Sequence, residues 1–103
     1  MNRRDGHVVI KKKCPGGSTN GGTYYTLADK SGYAIPYGTW QNVAASAQNA
    51  SGGVNLKLYR ADTQLLSVTD TGKGCAAITS SGATGVRGDN DNFLFDDFMV
   101  TSL

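Results

Sequence analysis

Hydrophobic and polar positions alternate in short stretches separated by turn residues. The clearest stretch is residues 54–59, where Val54, Leu56 and Leu58 alternate with Asn55, Lys57 and Tyr59. A period of two is that of a β-strand with one face buried. Ala61-Asp62-Thr63 reads as a short hairpin loop, and residues 64–70 return as the antiparallel partner. Upstream, the β-branched run at residues 7–13 ends at Cys14-Pro15-Gly16-Gly17. A Gly/Ser/Asn-rich loop over residues 16–22 leads into a strand at 23–29 that carries Tyr24, Tyr25 and Leu27. Residues 30–38 hold Pro36 and read as irregular. Residues 39–48 form the next strand, with Val43, Ala45 and Ala47 on one face and Asn42 and Ser46 on the other. Beyond residue 70 come a polar, glycine-rich loop (71–82, holding Cys75) and a last hairpin, 83–88 and 92–101, around Gly88-Asp89-Asn90-Asp91. No stretch reads as a helix: 43–50 is alanine-rich, but a serine and two glycines follow at once. About seven short strands with turn signals between them predict an all-β, antiparallel sandwich or barrel.

The last strand has a phase slip. Phe93 and Phe95 share one parity, Phe98 and Val100 the other. All four can face inward only if the strand slips by one residue, and the slip falls at Asp96-Asp97. A β-bulge there would keep the large side chains inside and re-aim two carboxylates.

Composition narrows the picture. The chain has 103 residues, of which 39% are hydrophobic and 17% charged, with 14 glycines and no glutamate among its eight acids. That length allows one domain with a thin core, and the Gly/Ser/Thr/Asn-rich, Glu-free blend argues against a helical bundle. The net charge of +2 does not call for a nucleic-acid partner. The basic run Lys11-Lys12-Lys13, near Arg3 and Arg4, reads as an exposed strand end whose lysines discourage edge-to-edge aggregation. No apolar stretch is long enough to span a membrane as a helix. No secretory signal follows Met1, so an export signal was removed or lies upstream, or the protein stays inside the cell. Cys14 and Cys75 can be read as a disulfide that would stabilise a thin core, or as two unrelated thiols. Zinc is not expected, because two lone cysteines and one distant histidine match no zinc spacing.

Several segments, taken in order, carry a family likeness. They are Val8-Val9-Ile10-Lys11-Lys12-Lys13, Gly38-Thr39-Trp40, and Val54-Asn55-Leu56-Lys57-Leu58-Tyr59-Arg60 running on to Leu65-Leu66-Ser67-Val68-Thr69-Asp70. Thr84-Gly85-Val86-Arg87-Gly88-Asp89-Asn90 and Phe95-Asp96-Asp97-Phe98 complete the set. In that order, from Gly6 onward, the chain resembles the C-terminal half of concanavalin A-like (laminin-G-like) jelly-roll domains, which are commonly appended to secreted bacterial carbohydrate-active enzymes. The resemblance implies a single jelly-roll-like module over residues 1–103 without the strands that would precede Gly6. Such a half-sandwich would expose its inner face and needs a cover, which implies a homodimer, strand exchange or a partner chain. It also implies an extracellular or periplasmic setting and a structural Ca²⁺ held through Asp96, with Asp97 beside it. Calcium takes six to eight oxygens, and the family's other ligands come from the half that has no counterpart here; the bland reading is that Asp96 and Asp97 cap backbone groups freed by the bulge.

Catalysis is not expected. A glycosidase needs two carboxyl groups flanking the scissile bond, and most of these aspartates fall in turns or at strand ends. Nucleophile chemistry needs a base, and the lone histidine, His7, stands at a strand start. Carbohydrate binding fits better, because sugars present flat CH faces and hydroxyl edges to aromatic, amide and charged side chains. Asn55, Lys57 and Tyr59 would stand side by side on the outer face, with Tyr25, Trp40 and Arg87 as further candidates. Trp40 reads equally as a core anchor, and Tyr59 as half of a cross-strand pair. Two functions stay open: a non-catalytic carbohydrate-binding module, or an assembly module that completes its sandwich with another chain.

Overall fold

The computed structural model describes residues 5–89 and 92–103. Among them the fold is all-β, with five strands in two antiparallel sheets and no helix. Strands β1 (Val8–Thr19) and β2 (Gly22–Lys30) form a two-stranded sheet; β3 (Val43–Ala50), β4 (Gly53–Arg60) and β5 (Thr63–Asp70) form a three-stranded meander in the order β3-β4-β5.

Turn chemistry accounts for the hairpins. Asn20 and Gly21 both take positive φ (50° and 72°), as do Ala61 and Asp62 (48° and 64°). Two consecutive positive-φ residues make the tight turn whose twist matches the strands it joins. Gly53 is required for a different reason: a Cβ there would lie 2.0 Å from the Asp70 carbonyl oxygen on β5.

Alternation works on β4 as expected. Val54, Leu56 and Leu58 pair with Asp70, Val68 and Leu66 of β5, and Leu56 and Leu58 with Ala47 and Ala45 of β3. Two bulges adjust the pattern. Leu65 is the extra residue where β5 slips between Leu58 and Tyr59, and Leu27 is the extra residue where β2 slips opposite Ile10 and Lys11. The β5 bulge turns both Leu65 and Leu66 inward, where they join Val8 in the core beneath Ile10, Ala28, Tyr33 and Leu58. The sheets thus meet in a sandwich-like way, β1 and β2 against β5.

Four expectations need correction. Five strands form where seven are expected, since residues 71–103 contain no strand among the described positions. A lone two-stranded hairpin is marginal without a sheet to join, and the last two segments find none. Asp96-Asp97 therefore makes no bulge; Asp97 takes φ 53° in an irregular backbone, and Phe93, Phe95, Phe98 and Val100 are exposed instead of inward. The Gly88-Asp89-Asn90-Asp91 turn lies partly outside the described residues. Third, β1 runs through Pro15, Gly16 and Gly17 to Thr19, and β3 starts at Val43 rather than 39, which leaves Trp40 on a loop at 67% exposure instead of in the core. Fourth, the basic run is no exposed strand end: Lys11 and Lys13 are exposed, but Lys12 shares the inward parity of Val8 and Cys14 and is 5% exposed.

Candidate functional site

The open side of the molecule lies between the sheets. A cleft of about 390 Å³ is lined by Lys11, Lys12 and Lys13 of β1, Leu27 of β2, Ala47 of β3, Val54 and Leu56 of β4, and Asp70, Ile78 and Ser80. Its floor is an ion pair. Lys12 Nζ sits 2.8 Å from Asp70 Oδ2 and 3.1 Å from Oδ1, and both side chains are 4% exposed. The same ammonium donates to the Cys75 carbonyl, while Asp70 Oδ1 accepts from the backbone N–H groups of Gly72 (3.0 Å) and Lys73 (3.1 Å). The Lys12 ammonium, and then the two N–H donors, hold the Asp70 carboxyl below its ordinary range against the opposing pull of burial. Beside this knot Cys14 and Cys75 are joined in a disulfide. Gly74 (φ 73°) lies flush on the Tyr25 ring, where a Cβ would come within 2.4 Å. Strand β1, the end of β5 and the loop after it are thus tied at one place.

Beyond Cys75 the chain crosses the mouth of the cleft. Ile78 and Ser80 line it, and Asn49 Nδ2 on β3 donates to the Thr79 carbonyl at 3.1 Å. Farther along, its large apolar side chains are exposed. Phe93 and Phe95 stack on each other with centroids 6.3 Å apart, around a shallow hollow with Gly88 and Asn92. Leu94, Phe98, Met99, Val100 and Leu103 are exposed, Leu94 at 82%. Strand β3 is one of the two outer strands of its sheet, β5 being the other, and its Val-Ala-Ala-Ser-Ala-Gln-Asn-Ala sequence has no charge or proline. Those are the devices that usually protect an edge.

The residues suggested for a sugar surface are only partly brought together. Asn55, Lys57 and Tyr59 lie in a row on β4, on the face away from Val54, Leu56 and Leu58, and Asn55 Nδ2 donates to Thr69 Oγ1 at 3.3 Å. Tyr25 is not on that face: it pairs with Lys12 and packs on Gly74. Trp40 stands on the loop before β3, and Arg87 is in the C-terminal segment, bound to Asp89 at 2.9 Å. Asp96 and Asp97 are exposed, and Asp97 N–H donates to Asp96 Oδ1 at 2.8 Å, so that oxygen caps a local backbone donor. Among the described residues no three His, Cys, Asp or Glu side chains converge. His7 Nδ1 lies 2.6 Å from Asp29 Oδ1 at the far end of β1, and that hydrogen bond raises the imidazole pKa.

The Lys12–Asp70 pair was not legible as a site. Its one sequence signal is that Lys12 falls in phase with Val8, Ile10 and Cys14, which conflicts with lysine's preference for solvent. No known protein family matches the chain, and neither a curated protein nor a solved structure is significantly similar to it.

Proposed function

We propose that this chain is an assembly module, an incomplete jelly-roll-like sandwich that another chain completes and that performs no catalysis itself. One observation carries this reading. The chain exposes 7688 Å², whereas compact monomers of 10.8 kDa expose about 5,500 Å² by the usual mass scaling. The excess, about 2,000 Å² on one chain, is more than twice the roughly 800 Å² that each partner loses in a standard protein–protein interface, and counted over two chains it falls in the range of large obligate interfaces. The open cleft, the unprotected β3 edge and the exposed aromatic segment supply that surface. In this reading the two missing strands of the seven belong to the assembled state. The disulfide suits an oxidising compartment, which favours an extracellular or periplasmic setting. Light scattering on the purified, oxidised chain should give a dimer, at twice the 10.8 kDa chain mass, with one transition on unfolding. A monomer at every concentration tested would overturn the reading.

A second reading rests on the row of Asn55, Lys57 and Tyr59 on the outer face of β4. An amide, an ammonium and a phenol on a flat sheet suit a sugar's hydroxyl edge and CH face. Glycan-array binding that weakens at least tenfold in Tyr59→Ala, with circular dichroism unchanged, is the result this reading expects. Equal binding by both proteins would remove it.

A further inference from the structure

We infer that the missing cover is residues 92–103 of a second copy, seated in the cleft between the sheets and along the β3 edge, with the exchange made reciprocally by the two chains. This rests on the assembly reading and names its donor and its acceptor.

Charge and polarity select the occupant. The donor Asn-Phe-Leu-Phe-Asp-Asp-Phe-Met-Val-Thr-Ser-Leu is apolar with two acids and no base. The cleft is apolar with three lysines and one acid, and that acid, Asp70, is already paired with Lys12. Lys13 is turned to the Asn20 carbonyl and the Tyr24 ring, so Lys11 remains as the cleft's uncompensated charge, opposite in sign to Asp96 and Asp97. Both halves of this match belong to one sequence, so a second copy carries each of them, and a two-fold pair satisfies both contacts at once.

Geometry agrees. Residues 78–80 of the same strand-free segment already lie on the cleft and on β3. Twelve donor residues extended span about 40 Å, and the eight residues of β3 about 27 Å, so the donor is long enough for the whole edge, of which the Asn49 end is already met by Thr79. Among the described residues no strand pairs with the side of β3 away from β4, and an added strand would use that side as in β-augmentation. Phe93 and Phe95 would face the cleft before the phase slip, and Phe98 and Val100 after it. The protomer's own segment does not supply this cover, because its large side chains are themselves exposed. The radius of gyration, 14.4 Å, also exceeds the roughly 13 Å of a compact domain of this length.

The test uses two full-length variants. Phe95→Asp/Phe98→Asp removes the donor face; Ala47→Asp places an acid in the acceptor cleft, with Lys11→Glu as a second acceptor variant should Ala47→Asp misfold. Each variant alone should lose the dimer in light scattering while its β circular-dichroism signal persists. An equimolar mixture pairs an intact cleft with an intact donor and should recover dimer. If the donor variant stays dimeric, this inference fails while the assembly reading stands. If both variants are monomeric but their mixture stays so, the cleft is not the seat and the inference fails. A monomeric wild-type chain would remove inference and reading together.

Discussion

Lys12→Met is expected to lower stability by about 3–5 kcal/mol, the usual consequence of removing one member of a buried ion pair and leaving the other uncompensated. Methionine fills much of the same volume, so the loss falls on electrostatics rather than packing. Asp70 would keep the Gly72 and Lys73 N–H groups but lose its cation, and the Cys75 carbonyl would lose its donor. Urea unfolding at neutral pH, compared with wild type, measures the effect. The pH dependence follows from the depressed Asp70 pKa. A carboxyl held lower in the folded state contributes stability above its unfolded pKa, near 3.8, and that contribution is lost as pH falls through the folded value. The gap between wild type and Lys12→Met should therefore be widest near neutrality and narrow in acid. Lys12→Met/Asp70→Asn should recover much of the loss, because an amide still accepts from Gly72 and Lys73 without burying a lone charge. Should the double variant prove as unstable as the single, the ion pair is not what Lys12 contributes.

Reducing the disulfide should cost nearly as much. Cys14 and Cys75 are 61 residues apart, and closing a loop of that length stabilises by about 4 kcal/mol in the chain-entropy model. A core built around Val8, Leu65 and Leu66 leaves little reserve, so the reduced chain, or Cys14→Ser/Cys75→Ser, should unfold at a much lower urea concentration than the oxidised chain. The effect should not simply add to that of Lys12→Met. Cys75 offers its sulfur to Cys14 and its carbonyl to Lys12, so losing either tie frees the same loop, and contacting sites couple. A strictly additive double-variant cycle would show that the two ties act independently.

The strands legible in the sequence were those whose pattern and turn are both local. Residues 54–59 alternate cleanly and are closed by tight turns on both sides, and β4 forms there with the expected face inward. Residues 92–101 have as many large apolar side chains, yet no strand appears, because a strand needs a neighbouring edge and sequence pattern cannot say whether one is in reach. The same limit applies to the candidate site. The row of Asn55, Lys57 and Tyr59 followed from period two alone, whereas the place of Tyr25 depended on a bulge at Leu27 and on Gly74 coming up against its ring. A run of three lysines reads as solvated in sequence, whereas the partner that buries Lys12 stands 58 residues away.

What the amino-acid order determined by itself is local: extended backbone, the Ala61-Asp62 turn, and which side of β4 is apolar. These depend on residue conformation and alternation over a few positions. What only the tertiary structure decided is the meeting of distant parts. Lys12 found Asp70, Cys14 met Cys75, Leu65 and Leu66 were both turned inward, and the C-terminal aromatics were left without a sheet. Such pairings turn on which surfaces reach one another across loops of tens of residues, and loop closure costs free energy that only the completed set of contacts offsets.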